Sequence, residues 1–287
     1  MLKGVCVLYF SPTVRTLFQI ALDEDIGRGD FTAQAMLDPT LQGKATVLVK
    51  EEAVLAGLPV IEAVFRTYGS NVTITYYHQD GEFVQAGKNQ VALLEGNARD
   101  IVTVERTALN FVARLSGIAT LTHHAMRSIA HTKTRLLDTR KTTPGWRMLE
   151  KDAVKAGGGW NHRYALDDMI LIKDNHIALC GSVTQAIQRA RQATSISTRI
   201  EVEVDTIEQL KEAIVTDVDM ILLDNMSLEA MREAVSLTKG KIPLEASGNM
   251  TLDRLPAVAQ TGVDYISMGA LTHAARSVDV GLDILFE

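Results

Sequence analysis

The chain has 287 residues, 46% hydrophobic and 22% charged, with a formal net charge of −6 from 29 basic and 35 acidic side chains. That balance excludes a disordered or collagen-like chain and argues against nonspecific nucleic-acid binding, so any anion site must be local. No apolar run reaches the ~18–20 residues of a membrane helix, and the N-terminal run over 4–10 stops at Ser11-Pro12 without a cleavage signature, so a cytoplasmic protein is expected.

In chain order, apolar spacing (Leu17, Ile20, Ala21) predicts a helix over 13–25. Alternation predicts strands over 44–50 and 71–77, and Pro59 opens a helix over 59–68. Gly81 and Gly87 punctuate a further strand pair ending near Leu94. A helical pattern over 98–115 (Ile101, Val104, Ala108, Phe111, Val112, Leu115) is expected to break at Ser116-Gly117. These elements predict an N-terminal α+β sandwich domain over 1–116, with 1–11 a candidate disordered arm, and a second domain over 117–287 whose last helix packs back on the first. Cys6 and Cys180 fit neither a disulfide framework nor a zinc spacing.

From Leu136 the pattern changes to short β-rich runs alternating with capped helices. Strands are predicted over 135–138, 169–173, 199–204, 220–224, 242–246 and 264–268, with helix starts at Ser182, Thr206, Ser227 and Thr251. Alternating strand and helix means a parallel sheet, and six such units suit a TIM-like parallel α/β barrel, complete or incomplete.

Catalytic groups in such barrels lie at the C-terminal strand ends. Here those ends carry Asp138/Arg140/Lys141, Lys173/Asp174, Glu203/Asp205, Asp224/Asn225, Ser247-Gly248-Asn249 and Gly269-Ala270. The last two are small turns whose backbone N–H groups can reach a phosphate. From His123 to Arg147 the chain places six Lys/Arg against the single acid Asp138, a concentration of positive charge in an acidic protein. Glu201 and Glu203 alternate with valines and share one strand face. Glu203 with Asp224 suits a ribose or a hydrated Mg²⁺, or Glu203 an ion pair with Lys173 or Arg140. Lys173, after Ile-Leu-Ile, suits a paired cation or a Schiff-base amine. Three glycines before Trp160-Asn161-His162-Arg163 open a loop that reads as an anion clamp, Arg163 offering a planar fork.

At these residues the chain resembles the decarboxylating quinolinate phosphoribosyltransferases. The resemblance rests on Asp138-Thr139-Arg140-Lys141-Thr142-Thr143-Pro144-Gly145, Gly157-Gly158-Gly159-x-Asn161-His162-Arg163 and Leu171-Ile172-Lys173-Asp174-Asn175-His176. It extends back to Glu105-Arg106-Thr107 and Glu24-Asp25-Ile26-Gly27-Arg28-Gly29-Asp30, covering nearly the whole chain. Trp146, Asp152 and Ala165 depart from the residues common there. The resemblance implies transfer of phosphoribosyl from 5-phosphoribosyl pyrophosphate to quinolinate, with decarboxylation to nicotinate mononucleotide for NAD synthesis. It implies that Arg140, His162, Arg163 and Lys173 hold quinolinate, joined by Arg106 from the second subunit of a homodimer with shared sites. It gives Lys141, Thr139, Glu203, Asp224, Ser247, Gly248, Asn249, Met268, Gly269 and Ala270 to the phosphoribosyl donor. Lys141, Glu203 and Asp224 would be catalytic, the two acids meeting Mg²⁺ through water or pyrophosphate. Alternatives are a molybdenum-utilisation paralogue sharing the Thr-Arg-Lys loop, a Schiff-base aldolase using Lys173, and a noncatalytic anion-binding protein. Neither nucleic acid nor a membrane is an expected partner.

Overall fold

The computed structural model describes residues 11–285, so nearly all of the candidate N-terminal arm, including Cys6, lies outside the described residues. Ser11 caps the first helix by accepting from Val14 N at 3.4 Å. In order follow α1 (Pro12–Ile26), α2 (Phe31–Met36), β1 (Gln42–Val49), β2 (Ala53–Val54), α3 (Leu58–Tyr68), β3 (Thr73–Tyr76), β4 (Phe83–Val84), β5 (Asn89–Asn97) and α4 (Ala98–Ile129). Then come β6 (Arg135–Leu137), α5 (Arg147–Ala156), β7 (Ile170–Ile172), α6 (Asp174–Cys180), α7 (Val183–Ala193), β8 (Ile200–Val204) and α8 (Ile207–Ala213). The chain ends with β9 (Met220–Asp224), α9 (Leu228–Thr238), β10 (Leu244–Ser247), α10 (Leu255–Ala259), β11 (Tyr265–Ser267), α11 (Ala270–His273) and β12 (Val280–Leu285).

Two compact units result. One comprises the chain up to His123, Thr142–Gly158 and the chain from Ala274; the other comprises His124–Lys141 and Gly159–His273. The first unit contains an antiparallel sheet ordered β12-β1-β5-β3. Its strand β1 buries five consecutive residues from Ala45 to Val49, because it is paired on both sides, to β12 and to β5. An aromatic cluster packs beneath: Phe18 meets Phe111 edge-on at 5.0 Å, and Trp146 stacks on Phe111 at 4.3 Å. Each such pair adds ~0.5–1.5 kcal/mol beyond its buried area. The unusual Trp146 therefore has a packing role.

Two expectations for this unit need correction. The closing element is a strand, not a helix: β12 pairs antiparallel with β1 from Lys44↔Leu285 to Val49↔Val280. The helix expected to break at Ser116-Gly117 continues to Ile129. Ser116 is fully buried, and its hydroxyl donates to Ala56 O at 3.2 Å and accepts from Ala56 N at 3.1 Å. A Cβ on Gly117 would lie 1.9 Å from Arg276 O. The pair marks a close backbone crossing, where only hydrogen fits, rather than a hinge.

The second unit is built on a parallel sheet ordered β6-β11-β10-β9-β8-β7. Read cyclically this is sequence order, so the sheet wraps as an incomplete barrel whose opening lies between β6 and β7. Trp160 partly fills that opening, forming a parallel bridge to Leu137 with its ring under the Arg135 guanidinium at 4.2 Å. Helices α7, α8 and α9 start where local capping chemistry dictates: Ser182, Thr206 and Ser227 accept from the backbone N–H three residues on. Helix α10 starts at Leu255, later than the expected start after Thr251, because Pro256 is tolerated only within the first turn. Among the described residues no helix is long and apolar enough to cross a membrane.

Gly117→Ala tests the crossing at α4. In a free helix the change adds about 1 kcal/mol of stability. Here overpacking against Arg276 O costs about 1–3 kcal/mol and should outweigh that gain, lowering the urea midpoint; an unchanged or raised midpoint contradicts the assignment.

Candidate active site

The C-terminal ends of the barrel strands surround a cavity of about 540 Å³. Each strand end supplies what the register sets there. Glu203 on β8 lies level with Leu222 on β9, which lies level with Glu245 on β10; two residues further along, Asp224 lies level with Ser247. Barrel interiors are normally filled by branched apolar side chains. Here Glu201 (fully buried) and Glu245 (1% exposed) occupy interior positions instead.

Asp138, immediately after β6 and fully buried, organises one wall. Its carboxylate accepts from Asn161 Nδ2 at 2.6 Å and from His162 N at 2.9 Å, tying down the loop that follows the three glycines. Backbone bonds Asp138 N→Trp160 O (3.1 Å) and Trp160 N→Leu136 O (2.9 Å) complete the tether. The clamp loop is thus ordered by a buried charge. His162 then uses both ring nitrogens: Nδ1 accepts from Arg163 N at 2.8 Å, and Nε2 lies 3.0 Å from Glu201 Oε2 and 3.5 Å from Glu245 Oε2. Since Nδ1 accepts, Nε2 carries the hydrogen and donates to Glu201. Arg163 donates to Met169 O at 3.0 Å, and burial, then the neighbouring Arg140 charge, holds its pKa below the ordinary guanidinium value.

After β7, Lys173 Nζ pairs with Glu203 Oε2 at 3.2 Å, and both groups border the cavity. Lys173 N donates to His176 Nδ1 at 2.9 Å, which fixes the start of α6. Of the two readings open for Glu203, the ion pair with Lys173 is present, and Glu203 remains on the cavity wall beside Asp224.

The turn after β10 is backbone-built. Gly248 has φ +97°, and a Cβ there would lie 2.2 Å from Asn225 Oδ1. Asn225 and Asn249 also take positive φ, and Asn249 Nδ2 donates to Asn225 Oδ1 at 3.1 Å. Arg254 braces the turn from behind, donating to Gly248 O at 2.9 Å and Met226 O at 3.2 Å. The loop after β6 is tied to α11 through Thr272 Oγ1→Lys141 O at 2.7 Å.

Of the expected site residues, Thr139, Arg140, Lys141, His162, Arg163, Lys173, Glu203, Asp224, Ser247, Gly248, Asn249 and Gly269 border this one cavity. Met268 and Ala270 flank Gly269 without lining it, and Arg106 is exposed on α4 in the other unit. Glu245 was missed by the reading of strand 242–246. Its signal is an acid between Leu244 and Ala246, the alternation that puts it inside the barrel.

A parallel barrel whose strand ends gather Arg140, Lys141, Arg163 and Lys173 around one cavity, beside small phosphate-sized turns, defines an anion-handling α/β-barrel enzyme. The chain belongs to the quinolinate phosphoribosyl transferase family: residues 118–283 match its C-terminal domain and residues 30–116 its N-terminal domain. It is 46% identical over 261 residues to the probable nicotinate-nucleotide pyrophosphorylase (carboxylating) of Bacillus subtilis, covering 91% of this chain and 90% of that one. It is 39% identical to quinolinate phosphoribosyltransferase (decarboxylating) 2, mitochondrial, of Nicotiana glauca, covering 94% and 82%. Among solved structures, the nicotinate-nucleotide pyrophosphorylase from Francisella tularensis superposes with TM-score 0.89 at 41% identity, covering 95% of this chain and 96% of that one. NadC from Streptococcus pyogenes gives 0.91 at 38%, covering 99% and 100%.

Two measurements follow from the buried acids. Asp138→Ala should cost about 3 kcal/mol, because two charge-assisted bonds are lost, and should remove hydrogen-exchange protection from residues 160–163; intact protection there contradicts the tether. Burial and then the Glu201 charge push Glu245 up to about 8 from its ordinary 4.5. The native state therefore keeps a proton that the unfolded chain releases, and this contribution to stability is present below the unfolded value and lost as pH rises through about 8. Glu245→Gln should flatten the stability profile across that window, and a parallel profile in the variant contradicts the shift.

Proposed function

We propose that this chain transfers the phosphoribosyl group of 5-phosphoribosyl pyrophosphate to quinolinate, with loss of the adjacent carboxylate, giving nicotinate mononucleotide, pyrophosphate and CO₂ in NAD biosynthesis. The observation that carries this reading is the meeting of Arg140, Lys141, Arg163 and Lys173 in one cavity of an otherwise acidic protein. A dianion and a more highly charged pyrophosphate ester need that focused positive potential. Family membership and the printed names of the relatives support the same substrates over the molybdenum-utilisation alternative. The Schiff-base alternative is disfavoured because the Lys173 amine is already engaged by Glu203 at 3.2 Å and the relatives' printed names give a different chemistry.

In this reading Arg140, Arg163 and Lys173 bind the carboxylates of quinolinate. Both ring nitrogens of His162 are already engaged, so we assign it to orienting the Arg163 backbone rather than to direct contact. Lys141 neutralises the departing pyrophosphate, and Thr139 shapes its loop by accepting from Lys141 N at 3.0 Å. The turns at Ser247–Asn249 and Gly269–Ala270 would offer backbone N–H groups to the 5′-phosphate, Met268 N being taken by Leu137 O at 2.9 Å. Glu203 and Asp224 face the ribose hydroxyls. They also fit Mg²⁺: two carboxylates on neighbouring strands are too few for an all-protein cage but suit an ion completed by pyrophosphate and water. When bound, Mg²⁺ would neutralise developing charge on the leaving group.

The chemistry asked of the chain is mainly positioning and charge neutralisation. As pyrophosphate leaves, positive character develops at C1 of the ribose, where Glu203 and Asp224 supply compensating negative charge. The pyridine nitrogen bonds to C1 and becomes quaternary, which makes the ring an electron sink for loss of the neighbouring carboxylate. A homodimer in the cytoplasm, with Arg106 reaching the partner's barrel, completes the proposal.

The deciding assay is quinolinate-dependent CO₂ release that requires both the phosphoribosyl donor and Mg²⁺; release without the donor, or none at all, overturns the reading. Lys141→Ala should lower kcat by at least ~100-fold while quinolinate binding changes far less, and the opposite split contradicts its role at the leaving group. Mixing Arg106→Ala with Arg140→Ala subunits should restore activity through one intact site per heterodimer, and no recovery argues against shared sites.

A further inference from the structure

The transferase reading, on which this inference rests, leaves one proton unaccounted for. When the carbon–carbon bond to the departing carboxylate breaks, its electron pair stays on the ring carbon beside the quaternary nitrogen, and the product carries a hydrogen there. Arginines do not release protons, Lys173 is held by Glu203 at 3.2 Å, and Lys141 in this reading stays with the pyrophosphate. Glu245 differs from every cation on the cavity wall. It projects inward from β10, borders the cavity and is 1% exposed, and its carboxylate makes no close hydrogen bond within the described residues, the nearest donors being the Ser267 hydroxyl and His162 Nε2 at 3.5 Å. The groups facing it are Glu201 from β8, His162 from the clamp loop at 3.5 Å, Ser267 from β11 and Asp138 after β6.

We propose that Glu245 is the acid that protonates the ring carbon vacated by CO₂. An ionised carboxylate in the floor of a cavity built for a dianion would repel its own ligand, whereas a carboxylic acid is neutral and has a hydrogen to give. Burial, then the facing Glu201 charge, pushes Glu245 up to about 8, and burial pushes Glu201 up likewise, so the two facing acids keep a proton between them at neutral pH. In the step, the O–H bond of Glu245 breaks and the C–H bond forms as the ring carbon's lone pair takes the proton. The resulting carboxylate lies beside the Nε2–H of His162 and regains a proton from solvent after product leaves.

Glu245→Gln keeps the shape and removes the donor. In a single turnover with quinolinate, the phosphoribosyl donor and Mg²⁺, pyrophosphate release should stay within about threefold of wild type. CO₂ release and nicotinate mononucleotide formation should fall by about 100-fold, the scale of one general acid, and the N-ribosylated diacid should accumulate. Glu245→Asp, which keeps an acid, should recover part of the loss. In the wild type the rate of CO₂ release should fall above pH ~8 while pyrophosphate release does not. Equal slowing of both releases in Glu245→Gln overturns the proposal. So does a wild-type CO₂ step indifferent to pH, or a stoichiometric divalent ion that survives dialysis and is lost in the variant, which would make His162, Glu201 and Glu245 a metal site. If the wild type releases no pyrophosphate, the transferase reading itself fails; if it does and the two releases stay coupled in the variant, only the assignment of Glu245 fails.

Discussion

Asp138 follows strand β6 with no surface exposed to solvent, and it accepts from the side chain of Asn161 and the backbone of His162 at 2.6 and 2.9 Å. A buried carboxylate is costly unless such donors surround it. Meeting that requirement ties the glycine-rich loop onto the barrel, and the loop brings His162 and Arg163 to the cavity. The same residue stands next to Thr139-Arg140-Lys141, so the loops supplying the cations on this side of the cavity are anchored at one place.

The buried acids also explain how an acidic chain can present a cationic pocket. Glu203 engages Lys173 at 3.2 Å, so negative charge orients a positive group, while Glu201 accepts from His162 and fixes its ring. Like charges remain close, as the effect of Arg140 on Arg163 indicates, and this repulsion is relieved when an anion enters. Family membership agrees with this arrangement, since quinolinate phosphoribosyl transfer brings a diacid and a pyrophosphate ester together.

Much of the fold was legible because its signals are local. Strand β9 has the predicted limits Met220–Asp224, and Ser182, Thr206 and Ser227 cap the predicted helices because an N-cap hydroxyl needs only the next turn. What failed depends on distant backbone. Gly117 reads as a breaker, yet it marks where Arg276 O crosses α4, and the sequence does not say which distant segment will arrive. The closing strand β12 is fixed by pairing with β1, more than two hundred residues earlier. In the site, the Asp-Thr-Arg-Lys-Thr-Thr-Pro-Gly and Asn-His-Arg runs disclosed the cations, because several charged residues on loops after strands have few structural uses. The tautomer of His162 and the acidic surroundings of Glu245 were not legible, since both depend on which side chains the barrel brings face to face.

The central claim is that cations from separate barrel segments act together on one polyanionic ligand. A double-mutant cycle on quinolinate binding, measured by calorimetry for the wild type, Arg140→Ala, Lys173→Ala and the double variant, tests it most directly. The account predicts that each single variant weakens binding by at least ~10-fold and that the two losses are not additive, with a coupling of about 1 kcal/mol or more. Binding unaltered in either single variant, or strictly additive losses, would contradict a shared site.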